Sequence, residues 1–122
     1  MGLLAGTVLF QGTFARAQDA GERVRRRAAI LVTGGTVPRE QRTLRVREGD
    51  YVEIEWRTDE PLSVHLHGYD LVLALRPEAA QVMTFRAQFT GRFPIERHDA
   101  AKGGARGAHR HPVLMYVEVY PQ

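Results

Sequence analysis

Several runs in this chain place an apolar residue at every second position, and that alternation decides what it can fold into. Val52, Ile54 and Trp56 alternate with Glu53, Glu55 and Arg57. Met83, Phe85, Ala87 and Phe89 alternate with Thr84, Arg86 and Gln88. A period of two belongs to a β-strand with one face buried. Ala28 to Thr33, Leu44 with Val46, Val64 to Tyr69 followed by Leu71, Leu73 and Leu75, Arg92 to Arg97, and His111 to Tyr120 supply further strands. In the last of these Val113, Met115, Val117 and Val119 fall on one side. Turn signals separate the runs: Gly34-Gly35, Glu48-Gly49-Asp50, Thr58 to Pro61, Arg76 to Ala80 and Thr90-Gly91. Thr36 to Arg42 reads as a loop, and only Pro77 to Gln81 has room for a helical turn. Seven to eight short strands at this spacing predict an all-β sandwich with Greek-key connections.

The 122 residues suffice for one domain with one modest core. With 43% hydrophobic and 25% charged residues the composition is that of a globular protein. The net charge is only +3, the arginines are scattered, and no base-reading motif accompanies them, so no nucleic-acid partner is expected. Leu3 to Phe10 is mostly apolar and Ala15-Arg16-Ala17 fits a small-x-small cleavage site. These features predict a secretory signal over 1–17, a polar basic tether over 18–28 and the folded domain over 29–122. No other run is apolar enough to span a bilayer, so a periplasmic or secreted chain without a transmembrane segment is expected. The absence of cysteine rules out disulfides and thiolate ligands.

All five histidines fall in three places: His65-Leu66-His67, His98, and His109-Arg110-His111. Residues two apart on a strand point the same way, so each pair aims two imidazoles at a common side. Neutral imidazole is a ligand for copper, zinc, nickel and ferrous iron. Copper(II) heads the affinity order, which makes it the first candidate, with Zn(II) second. Between His98 and His109 runs a Gly- and Ala-rich loop, Asp99 to Ala108, with no core residue.

The segments Arg45-Val46-Arg47-Glu48-Gly49-Asp50-Tyr51-Val52, Val64-His65-Leu66-His67-Gly68-Tyr69-Asp70 and Thr90-Gly91-Arg92-Phe93 resemble the cupredoxin-like domains of bacterial secreted proteins. The order of these pieces, and a closing Tyr116-Val117-Glu118-Val119 strand, match as well. The resemblance implies a cupredoxin-like Greek-key sandwich over roughly residues 29 to 120. It gives His65 the place of the first copper ligand and Asp70 that of the acid that follows after four intervening residues. His111 and Met115 resemble the late His and Met ligands. His65-Leu66-His67-Gly68 also resembles a short copper motif of multicopper oxidases. One departure matters: where the ligand Cys should follow Gly91-Arg92-Phe93, the chain has Glu96, Arg97 and His98. Without a thiolate there is no blue-copper centre.

The expected metal ligands are therefore His65, His67, His98, His109 and His111, with Met115 as a soft neighbour and Asp70 orienting an imidazole from behind. The expected function is copper sequestration, delivery or sensing, with a copper-handling protein as a candidate partner. Two alternatives stand beside it: a metal-free interaction module that kept the fold, and a small copper or zinc enzyme. No Ser/His/Asp arrangement or substrate pocket is legible, so the chain is not expected to be an enzyme.

Overall fold

The computed structural model describes residues 24–98 and 111–122. The expected leader, the tether before Val24, the Asp99 to Ala108 loop and His109 lie outside the described residues.

Eight strands occur among the described residues: β1 (Arg25–Val32), β2 (Thr43–Arg47), β3 (Tyr51–Thr58), β4 (Leu62–Leu66), β5 (Leu71–Leu75), β6 (Gln81–Arg86), β7 (Gly91–His98) and β8 (Val113–Tyr120). They form a three-stranded sheet, β1-β3-β6, and a five-stranded sheet, β2-β8-β7-β4-β5. Only β4–β5 and β7–β8 are hydrogen-bonded neighbours in chain order; the other connections pass from sheet to sheet, as a Greek key requires. The alternation seen in the sequence explains the layers. In β3, Val52, Ile54, Trp56 and Thr58 turn inward while Tyr51, Glu55 and Arg57 are exposed. The inward faces of both sheets meet in one core around Trp56, Ile54, Leu66, Ile95, Met115 and Val117, all fully buried. Truncating a residue such as Trp56 to Ala would cost about 3–5 kcal/mol.

Four local features differ from the sequence reading. β1 begins at Arg25, so the arginine run belongs to the sheet rather than to a tether. The reason is partnership: β1 pairs in parallel with β3, Arg25 and Arg27 ion-pair with Glu53, and Arg26 Nε donates to the buried Asp50 carboxylate at 3.1 Å. Asp50 also accepts the Arg47 N–H at 2.9 Å, which pins the Gly49-Asp50 turn. The helical turn falls at Arg39–Gln41, while Pro77 and Glu78 form a tight turn closed by the Arg76–Ala79 bridge. β4 stops at Leu66, and His67 to Asp70 form the turn into β5, with Gly68 at φ +81° and Asp70 at φ +53°. Gly68 is required twice over, since a Cβ there would also strike the Phe93 ring. Finally, Val113 is 42% exposed although Met115 is fully buried. The pairing of β7 with β8 slips between Ile95 and Glu96, so Leu114 is an extra residue and the inward phase of β8 starts there.

Tyr69 serves packing, as its place beside the turn suggests. Its ring lies 5.0 Å from those of Phe85 and Phe93. Its hydroxyl donates to the Phe89 carbonyl and accepts the Phe89 N–H, both at 3.0 Å.

Candidate metal centre

The histidines are placed by strand parity. In β4, Leu62, Val64 and Leu66 are buried, which turns Ser63 and His65 to the outer face of the five-stranded sheet. In β7, Ile95 is buried, which turns Glu96 and His98 to that same face. The register sets Ser63 opposite His98 and His65 opposite Glu96. Pairing continues past the end of β4, where the His67 N–H donates to the Pro94 carbonyl at 3.0 Å. It also continues before β8, where the Arg97 N–H donates to the Pro112 carbonyl at 2.9 Å and brings His111 beside His98. The Leu114 bulge sits at this point, re-aiming the residues ahead of it.

Four imidazoles result in one row. Ring centres are 4.1 Å apart for His65 and His67, 5.7 Å for His65 and His98, and 3.9 Å for His98 and His111. Exposed valines flank the row: Val72 lies opposite His65 on β5, and Val113 lies opposite Glu96 on β8. The row therefore lies on an open sheet face, not inside the core.

The polar groups of this row are incompletely matched. His67 Nε2 is 2.8 Å from Glu96 Oε2, yet it has no aligned hydrogen-bond partner. His98 Nε2 is likewise buried without one. Buried polar atoms of this kind are rare in native proteins and mark sites of bound water, ions or functional strain. Asp70 Oδ1 approaches His65 Nε2 to 3.5 Å, but its side chain is 98% exposed, so the contact holds the imidazole weakly. Burial, reinforced by the adjacent His111 and His65, pulls the His98 pKa below the usual imidazole value, while Glu96 acts in the opposite sense. The shift favours neutral imidazole, the form that ligates metal.

The donor set fits a metal ion in type and spacing. Two imidazoles at right angles on one ion have ring centres about 4.4 Å apart, given metal–nitrogen bonds of about 2.0–2.1 Å. The His65–His67 and His98–His111 separations lie within about half an ångström of that value. The rings are tilted against one another by 40° and 31°. As the side chains lie, no set of three or more His, Asp or Glu among the described residues is placed to hold an ion. Ligation would require rotation of these side chains about their χ angles.

Of the residues singled out from the sequence, His65, His67, His98 and His111 come together. Met115 does not: it pairs with the inward-facing Ile95, is fully buried and belongs to the core. The bulge explains the error, because it breaks the parity that linked Met115 to Val113. Glu96 was missed. The signal was present, since Glu96 and His98 stand two apart on one strand and share a face.

No protein-family model matches the sequence, and no characterised protein matches it at the level of sequence. Solved structures do match the fold. A chain of a heme-copper terminal oxidase dimer superposes with a TM-score of 0.59 at 16% identity, over 83% of this chain and 66% of that one. A multicopper oxidase gives 0.57 at 19% identity, over 80% of this chain and 42% of that one. A copper nitrite reductase from Nitrosomonas europaea gives 0.54 at 19% identity, again over 80% and 42%. The chain spans less than two thirds of each of these proteins. Its fold is the cupredoxin-like β-sandwich.

Proposed function

We propose that this chain is a copper-binding module that holds a divalent ion on the outer face of its five-stranded sheet. Its ligands are three or four imidazoles drawn from His65, His67, His98 and His111, with His109 as a further candidate outside the described residues. The observation that carries this reading is the row of four imidazoles with two buried nitrogens lacking a hydrogen-bond partner. Such nitrogens are costly to bury unless something binds them. The bound ion would supply Lewis acidity and, for copper, access to two oxidation states. With no cysteine in the chain, an intense blue thiolate-to-copper band is not expected.

Sequestration, delivery or sensing fits a site that lies open on a sheet face, where an ion exchanges without passage through the core. A periplasmic or secreted setting follows from the leader-like start, Leu3 to Phe10 and Ala15-Arg16-Ala17. No helix among the described residues is long and apolar enough to cross a membrane. We read the chain as a carrier rather than an enzyme. The competing reading, a metal-free interaction module, draws on the tilted rings and on the lack of a ready three-ligand set among the described residues.

Metal content and Cu(II) titration of untagged protein separate the two. The carrier reading expects about one ion per chain and a pale type 2 copper spectrum. A chain that takes up neither Cu(II) nor Zn(II) is the interaction module.

A further inference from the structure

The outer-face row contains one group that is not an imidazole. Across four strands, register partners run Val72, His65, Glu96, Val113. Glu96 is therefore held by pairing on both sides, in the middle of the histidines. Its side chain is only 21% exposed, against 98% for Asp70, the other carboxylate near an imidazole.

The contact between Glu96 and His67 is unusual. Oε2 and Nε2 are 2.8 Å apart, without the alignment of a good hydrogen bond. Two donor atoms bound at right angles to one ion, each at about 2.0–2.1 Å, stand about 2.9 Å apart. The observed separation is that of neighbouring ligands on one ion.

We propose that Glu96 is a metal ligand beside His67, and that its carboxylate makes the site selective for divalent ions over Cu(I). This rests on the metal-binding reading above. A carboxylate is a hard, anionic donor that suits Cu(II) and Zn(II), whereas Cu(I) is selected by thiolate and thioether. Among the described residues this face carries no soft donor: the chain has no cysteine, and Met83 and Met115 are in the core. The negative charge also attracts a doubly charged ion twice as strongly as a singly charged one. The site is thus a mixed nitrogen–oxygen site rather than a modified blue-copper centre.

The test compares the unaltered chain with Glu96→Gln and Glu96→Asp. Cu(II) and Zn(II) affinities are measured against chelators, and Cu(I) affinity is measured anaerobically against bathocuproine disulfonate. Circular dichroism of each apo variant checks that the fold is kept. Glu96→Gln is expected to weaken both divalent ions by about ten- to a hundredfold or more, the range seen even for groups one shell further out. Cu(I) affinity should stay nearly unchanged. Glu96→Asp, which keeps the charge but draws it back by one methylene, should lose less than Gln. The Cu(II) paramagnetic resonance spectrum should also change in Glu96→Gln. Copper bound by Glu96→Gln with unaltered affinity and spectrum overturns the ligand assignment. Equal losses for Cu(I) and Cu(II) overturn the selectivity. If the unaltered chain binds none of the three ions, the metal-binding reading itself fails and Glu96 falls with it.

Discussion

The outer face of the five-stranded sheet has two ends built on the same strands, β7 and β8, and they behave oppositely. At one end Glu118 is fully engaged. It accepts hydrogen bonds from Arg45 Nε at 3.2 Å and the Tyr120 hydroxyl at 2.7 Å, and Arg92 lies 3.4 Å away. The Arg92 guanidinium also stacks over the Tyr116 ring, 3.6 Å from its centre. At the other end His67 Nε2 and His98 Nε2 are buried without a hydrogen-bond partner. The first cluster is complete without a ligand, and the second is not. Being polar and sharing a sheet face does not make a site; unmet donors and acceptors do.

The largest effect should come from His65→Ala/His67→Ala. Removing two ligands should cost more Cu(II) affinity than the roughly 10–100-fold associated with an outer-shell partner. Arg92→Ala/Glu118→Ala, at the complete end, should leave the affinity unchanged. Chelator competition on both variants checks the contrast, and equal losses would erase the distinction between the two ends.

The next effect is pH dependence, and the two ends should show it in different windows. Burial lowers the His98 pKa, so the fold disfavours its protonated form. The unfolded chain then binds the proton better, and stability should fall as pH drops through about 6.5 towards the lower folded value. Bound metal should enlarge this loss, because protonation also displaces the ion. Glu118 has the same sign in a more acidic window: hydrogen bonds from Tyr120 and then Arg45 lower its pKa. Its contribution is present above the ordinary carboxylate range and is lost only as pH falls through the lowered value. Thermal melts from pH 8 to pH 3 should show a His98→Gln variant with less loss as pH falls through about 6.5 towards the lowered His98 value. They should show Glu118→Gln altered only below that window.

A smaller effect is expected for Met115→Leu. The side chain is in the core, so metal affinity should not change, and a volume-conserving exchange should cost less than about 1.5 kcal/mol. A marked drop in copper affinity would put Met115 back among the ligands. Smallest of all, Arg92→Ala alone should alter stability by about 0.2–1 kcal/mol, since its ion pair with Glu118 is exposed.

The layers of this fold were legible because the alternation in β3 and β6 is unbroken and each strand has one wet face. The first histidine pair was legible for the same reason, since parity alone puts His65 and His67 on one side. What sequence could not supply was register between distant strands. Nothing local says that His65 faces Glu96 or that Ser63 faces His98; those pairings are set by how the core faces of β4 and β7 close on one another. The Leu114 bulge hid a second fact, because one extra residue reverses the parity of everything before it. That is why Met115 read as a neighbour of the histidines and is instead in the core. The arginines of β1 read as a tether because their partners, Glu53 on β3 and Asp50 in the turn before it, lie more than 20 residues away.

The most direct test of the central claim is to count imidazoles on bound Cu(II) by pulsed electron paramagnetic resonance. The account predicts three or four in the unaltered chain, and a fall of two in His65→Ala/His67→Ala that still carries copper when loaded in excess. A count of one or none in the unaltered chain, or a count unaffected by that double substitution, would contradict it.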